Sequence, residues 1–285
     1  MHMRTLSIAR AAFCVALMLA AWDTQAKTRE DCEKVYQPQT GQSGKDVIWV
    51  PTEDTLVEKM LQLAKVTPED KVYDLGAGDG KIAITAGKRF GAQAVGIEYN
   101  PDMVRLGQCL AEVAGVTDRV TIRQGDIFET DFSDATVVTL YLLPDLNLRL
   151  RPTLLDMKPG TRVVSHSFTM AEWEPDAQVS SDSGHAYLWI VPAKVAGEWT
   201  FEPQGGKEPG EGAFNVKLEQ TFQQVHGTAA DNSQLMEVKL DGPRIDFRFP
   251  EAGGVTRVAG VVNGDRIEAK VTRNGRTSTY IGRRT

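Results

Sequence analysis

The stretch Val72-Tyr73-Asp74-Leu75-Gly76-Ala77-Gly78-Asp79-Gly80 joins a short apolar run carrying an acid to three glycines at alternate positions, and Lys81 to Phe90 then reads as a helix. Few folds accept such a segment. It is the strand–turn–helix junction by which a parallel α/β sheet presents a ligand at the carboxyl end of its first strand. The glycines give access to backbone conformations closed to other residues and let the main chain come close to a ligand. The helix start behind them offers free N–H groups. One acid leads the turn and a second, Asp79, sits inside it. Carboxylates in those places suit a ligand carrying an ammonium and a sulfonium better than one carrying a pyrophosphate.

Three further segments follow in order. Val95-Gly96-Ile97-Glu98-Tyr99-Asn100 is an apolar strand ending in an acid, Val120-Thr121-Ile122-Arg123-Gln124-Gly125-Asp126-Ile127 ends in Gly-Asp, and Val137 to Leu143 is a continuous apolar strand. With the glycine turn, this series resembles the class I (seven-β-strand) S-adenosylmethionine-dependent methyltransferases from about Asp46 to Phe201. The leader Val50-Pro51-Thr52 and the run Arg162-Val163-Val164-Ser165-His166 are similar to a group of bacterial methyltransferase-domain proteins. The leader together with Gly-Asp-Gly is distantly like the non-SET protein-lysine methyltransferases.

The resemblance implies S-adenosyl-L-methionine as cofactor and assigns roles. Asp74 and the backbone of Gly76, Ala77 and Gly78 would hold its methionine end, with Asp79, Gly80 and Thr52 beside it. Glu98, eighteen residues past Gly80, would accept hydrogen bonds from both ribose hydroxyls, and Asp126 with the Ile127 backbone would contact adenine. An acid at that distance also fits ribose binding in a nicotinamide dehydrogenase, but that motif wants a glycine at its sixth position, where this chain has Lys81. A third reading keeps the fold without the catalysis, as an exported binding protein.

Strands rich in Val and Ile and apolar throughout, alternating with helices, predict an α/β fold with a parallel sheet covered on both faces, which the resemblance implies is a doubly wound Rossmann-like methyltransferase sheet. The expected helices are about 52–64, 81–90, 101–114, 144–155 and 170–174, and the expected strands about 71–74, 94–98, 120–124, 135–142 and 161–167. Tyr187 to Val191 and Glu198 to Phe201 read as a hairpin, which the resemblance implies closes that sheet as its antiparallel pair. The methyltransferase domain is thus placed at 46–202, after an irregular arm at 27–45. The Pro/Gly-rich 203–212 reads as a linker, and 213–285 as a small all-β C-terminal domain, a sandwich or partly closed barrel. Its apolar/polar alternation and the Asn263-Gly264 and Asn274-Gly275 turns carry that expectation.

Residues 1–26 read as an export signal: Arg4 and Arg10 precede an apolar run from Ala11 to Trp22, and Thr24-Gln25-Ala26 ends in a small residue. The run is short for a membrane span. Export leaves Cys32 and Cys109, and Cys109, on a helical segment, is expected as a buried thiol. An exported methyltransferase needs its cofactor, a cytosolic metabolite, supplied elsewhere; a downstream start would instead leave the chain cytoplasmic. No metal set is apparent. The formal net charge of −6 gives no bulk attraction for nucleic acid.

The methyl acceptor should sit past the fourth strand, at Leu140-Tyr141-Leu142-Leu143-Pro144-Asp145. Amide and nucleobase N-methyltransferases carry Asn/Asp-Pro-Pro-aromatic there, which this chain lacks. Tyr141 is the candidate catalytic residue, orienting an amine or forming one wall of the acceptor channel, and His166 is a candidate base or a structural histidine. A protein lysine, a small-molecule amine and a hydroxyl all remain open as acceptors.

Overall fold

The computed structural model describes residues 26–205, 212–251 and 253–285. The expected signal segment, apart from Ala26, and residues 206–211 of the expected linker lie outside the described residues.

Helix α1 (Arg29–Glu33) starts from a reciprocal cap between Thr28 and Asp31, so the arm expected to be irregular carries a helical turn. Helix α2 (Asp54–Leu63) buries Leu56, Val57, Met60 and Leu61 on one face, each contributing roughly 1.5–3 kcal/mol by leaving water. The chain then alternates as expected: β1 (Lys71–Leu75), α3 (Lys81–Phe90), β2 (Gln93–Glu98), α4 (Pro101–Ala114), β3 (Val120–Gln124), β4 (Val137–Leu140), α5 (Pro144–Leu155) and β5 (Arg162–His166). Local signals fix several ends. Asn100 caps α4 by accepting from the Asp102 and Met103 N–H groups, Pro101 opens that helix, and Gly91 and Gly115 end α3 and α4 in the left-handed conformation.

Past β5 the structure corrects the sequence reading. Residues 170–174 form a turn closed by a Met170–Trp173 bridge, not a helix. Two further strands follow, β6 (Ala177–Ser181) and β7 (Gly184–Ile190). They pair with each other across the two-residue turn Asp182-Ser183, and β7 runs antiparallel to β5. The seven-stranded sheet has the order β3-β2-β1-β4-β5-β7-β6, with β1 to β5 parallel. The strand order reverses between β1 and β4, which is where an open α/β sheet binds its ligand.

The strand expected to close this sheet, β8 (Gly197–Pro203), belongs to the other one. It pairs with β9 (Phe214–Thr221) and with the last strand, β15 (Arg276–Arg284). Between these lie β10 (Gln224–Ala229), β11 (Met236–Asp241), β12 (Arg244–Glu251), β13 (Gly254–Asn263) and β14 (Arg266–Arg273). Every strand pairs with its neighbour in sequence apart from β10 and β11, the two edges, between which Thr228 of β10 bridges to Gln234, just ahead of β11. The result is a nearly closed eight-stranded meander, the partly closed barrel expected, but begun ahead of the Pro/Gly-rich stretch rather than after it. Trp199, Phe201, Phe247, Phe249 and Tyr280 are buried in its core. The Asn274-Gly275 turn has positive φ at both residues, whereas the β13–β14 turn is Gly264-Asp265, one residue later than expected. The barrel meets the first sheet where Phe222 stacks on Trp173 at 6.1 Å.

Cys109 is not a free thiol: it forms a disulfide with Cys32, pinning α1 to α4 amid Leu106, Leu110 and Tyr36. The bond closes a loop of sequence separation 77, which chain entropy values at about 4.5 kcal/mol. Reduction, or Cys109→Ser, is expected to lower the thermal midpoint by roughly 10 °C, as differential scanning calorimetry would record. No helix among the described residues is long and apolar enough to cross a membrane.

Candidate functional site

A cavity of about 310 Å³ opens at the carboxyl ends of β1, β2 and β4. Of the residues singled out in the sequence, Thr52, Asp74, Gly76, Ala77, Gly78, Asp79, Glu98, Asp126, Ile127 and Tyr141 all line it. Gly80 does not; with φ +79° it is the left-handed residue that starts α3.

The turn is tight for a reason. Gly76 and Ala77 N–H both donate to Ile97 O at 2.9 Å, folding the loop back on β2. Gly78 has φ +56°, and a Cβ there would meet Trp49 Nε1 at 2.6 Å. Only glycine fits both demands.

Five carboxylate residues line the cavity, and Asp74, Asp79 and Glu98 gather around the glycine turn. Asp74 is buried and accepts the Thr139 hydroxyl at 2.8 Å. Burial pushes its carboxyl up to about 7, against the Thr139 hydrogen bond and helped by the charges of Asp79 and Glu98. Burial raises Asp79 too, opposed by Lys81, its own N–H and, from α1, Arg29. Glu98 is held by its neighbours: Oε2 accepts from Gly78 N–H at 2.9 Å and Oε1 from Asn100 N–H at 2.8 Å. Buried like charges repel, and a cationic ligand relieves both the repulsion and the burial cost. The site therefore fits a ligand with an ammonium at Asp74 and hydroxyls at Glu98.

The pocket's cover was missed. Residues 41–49 form a small hairpin, closed by Gly41 N–H to Trp49 O at 2.8 Å, Trp49 N–H to Gln42 O at 2.9 Å and Gly44 N–H to Val47 O at 2.8 Å. Its tip reaches across the cavity, where Lys45 pairs with Asp126 and lies 5.0 Å from the centre of the Tyr99 ring. The lysine holds the Asp126 carboxyl below its usual range, as does the Phe128 N–H. Residues 41–46 are polar and give no periodicity from which this hairpin could be read; the apolar run Val47-Ile48-Trp49-Val50 was the available sign of a covered surface.

At the opposite end, Tyr141, Leu142, Leu143, Leu146 and Phe168 make an aliphatic and aromatic wall. His166 stands behind it, buried, with Nδ1 3.0 Å from Thr52 Oγ1. Burial holds its imidazole down at about 4, so the ring is neutral and cannot serve as a strong base. Among the described residues, no group of His, Cys, Asp and Glu could hold a metal ion.

Comparison with known proteins agrees with this geometry. The family model described as the ANTKMT methyltransferase domain matches residues 74–177. A protein-lysine N-methyltransferase of Saccharolobus islandicus (strain REY15A) is 45% identical over 151 residues, 51% of this chain and 94% of that protein. The adenine nucleotide translocase lysine N-methyltransferase of Mus musculus is 32% identical over 47% of this chain and 59% of its own length. Among solved structures, an RNA methyltransferase from Salinibacter ruber in complex with S-adenosyl-L-homocysteine is 50% identical over 51% of this chain and 96% of that one, with a TM-score of 0.50.

Proposed function

Because the chain belongs to the class I S-adenosylmethionine-dependent methyltransferases, we propose that it methylates the ε-amine of a protein lysine. The observation that carries this reading is the wall of Tyr141, Leu142, Leu143, Leu146 and Phe168 backed by a neutral His166. A lysine must lose its proton, from a reference pKa of ~10.4, before its nitrogen can attack, and an apolar channel favours the neutral amine. The names of the Saccharolobus and mouse relatives support a lysine acceptor. The Salinibacter structure's title names RNA, but this chain's net charge of −6 and its Leu142-Leu143-Pro144 sequence offer little to a polyanion or a flipped base.

Bound S-adenosylmethionine supplies an electrophilic methyl group on a sulfonium. The chain's part is placement. Asp74 takes the ammonium of the methionine portion, Glu98 the ribose hydroxyls, and Asp126 with Ile127 flanks the base. The apolar wall strips water from the acceptor nitrogen and aligns it for in-line displacement. The test is incubation of the purified chain with radiolabelled cofactor and extracts of its native cell, followed by mass spectrometry for methyllysine. Label in RNA, or in no macromolecule, would reject the lysine reading.

The ammonium at Asp74 sets a pH dependence. The ligand needs the carboxylate, whose pKa without ligand is raised to about 7. Affinity for S-adenosylhomocysteine is then full above pH 7 and lost below it. From pH 8 to pH 6 the dissociation constant is expected to rise about tenfold in titration calorimetry.

The Cys32–Cys109 disulfide supports export, since such bonds persist in oxidising compartments. Sequencing the N-terminus of the protein from its native periplasmic and cytosolic fractions, with thiol trapping, tests this. A reduced chain beginning at Met1 in the cytosol would overturn it.

A further inference from the structure

Strand β5 ends in an uncommon turn. Phe168 N–H donates to His166 O at 2.8 Å across Ser167, whose φ is +66°. A three-residue turn over a positive φ at a residue other than glycine is strained backbone, and such strain collects at functional sites. The turn is held in place because Ser167 N–H donates to His185 O at 2.8 Å on β7. It brings two rings onto one. His166 stacks on Tyr141 at 3.8 Å with planes 29° apart, and Phe168 stacks on it at 6.5 Å and 26°. Tyr141 and Phe168 line the cavity, whereas His166 is 4% exposed and lies behind it.

The same histidine also reaches the start of the domain. Its Nδ1 is 3.0 Å from Thr52 Oγ1, and Thr52 O accepts from Lys81 Nζ at 2.9 Å. Lys81 is the first residue of α3, directly after the glycine turn. One chain of contacts thus runs from the turn through Thr52 and His166 to Tyr141.

We propose that His166 is a positioning residue for methyl transfer, holding Tyr141 by its ring face and Thr52 by Nδ1 so that the acceptor nitrogen is aligned with the methyl group. This rests on the lysine reading above. This role takes the neutral tautomer protonated on Nε2, in which Nδ1 accepts the Thr52 hydroxyl and Oγ1 keeps lone pairs for an incoming amine N–H. A neutral ring in this place adds no positive charge beside a sulfonium. Thr52 accordingly serves the acceptor rather than the cofactor.

The test uses the full chain and two ligands: S-adenosylhomocysteine, and sinefungin, the cofactor analogue with a primary amine where the cofactor carries its methyl group. His166→Phe keeps a ring and loses the hydrogen bond, Thr52→Val loses the same bond from the other side, and His166→Asn keeps a polar partner without the ring. In calorimetry, His166→Phe and Thr52→Val are each expected to leave S-adenosylhomocysteine affinity within about twofold and weaken sinefungin about tenfold, with the double variant no worse than the poorer single. His166→Asn recovers part of the sinefungin affinity. With poly-L-lysine and radiolabelled cofactor, kcat falls about 10–100-fold in both single variants. Loss of both ligands in the same ratio, additive effects, or unchanged sinefungin affinity in both single variants would overturn the proposal. If native-cell extracts carry label elsewhere than on lysine while the sinefungin ratio shifts as expected, the lysine reading fails and the placement of the acceptor nitrogen by His166 stands.

Discussion

Asp74→Asn is expected to abolish measurable S-adenosylhomocysteine binding while making the ligand-free protein more stable. The carboxylate is buried and accepts the Thr139 hydroxyl. Removing one partner of a buried ion pair costs about 3–5 kcal/mol, which is roughly two to four orders of magnitude in affinity. The stability change has the opposite sign. A carboxyl whose folded pKa lies above its unfolded one destabilises the native state wherever it must ionise. Here that penalty is absent below about pH 4 and complete above the folded value of about 7. A shift of this size corresponds to roughly 4 kcal/mol, and the amide escapes it because its oxygen still accepts from Thr139. Denaturant melts of both proteins at pH 4 and pH 8 would check this: equal stability at pH 4 and a stabilised variant at pH 8 are expected. A variant that binds normally would remove Asp74 from the site.

Glu98→Ala is expected to weaken the same ligand by about two to four orders of magnitude, since hydrogen bonds to a charged group are worth about 1.5–3 kcal/mol each and two are lost. Glu98→Gln should cost about tenfold, for a reason visible in the fold. Gly78 N–H and Asn100 N–H approach different oxygens of the one carboxylate. An amide has a single oxygen, so one backbone donor would face another donor and the side chain would turn. Calorimetric titration of both variants measures this; equal affinities for Ala, Gln and wild type would exclude ribose contact.

Much of the site was legible because its chemistry is local. An acid, three glycines and a helix start within residues 74–81 dictate a strand–turn–helix, and Glu98 and Asp126 follow the next two parallel strands at their carboxyl ends. The cover was not legible. Lys45 acquires meaning only by meeting Asp126, 81 residues away, and Cys32 only by meeting Cys109. Strand β6 escaped notice because Ala177 to Ser181 is half-exposed and carries little apolar signal. Strand β8 was given to the wrong sheet for a different reason. Gly197 to Pro203 alternates buried and exposed residues, and such a pattern says which side chains point inward but not which core receives them. The strained turn at Ser167 also left no trace in the sequence, since serine is not a residue that announces a positive φ.

The segment from residue 33 to residue 51 has fixed moorings at both ends, Cys32 through its sulfur bridge to α4 and Thr52 through Lys81 and His166. A ribbon fastened twice can arch but cannot swing free like a flap. Its span over the cavity has a set length, and Lys45, paired with Asp126, is its keystone.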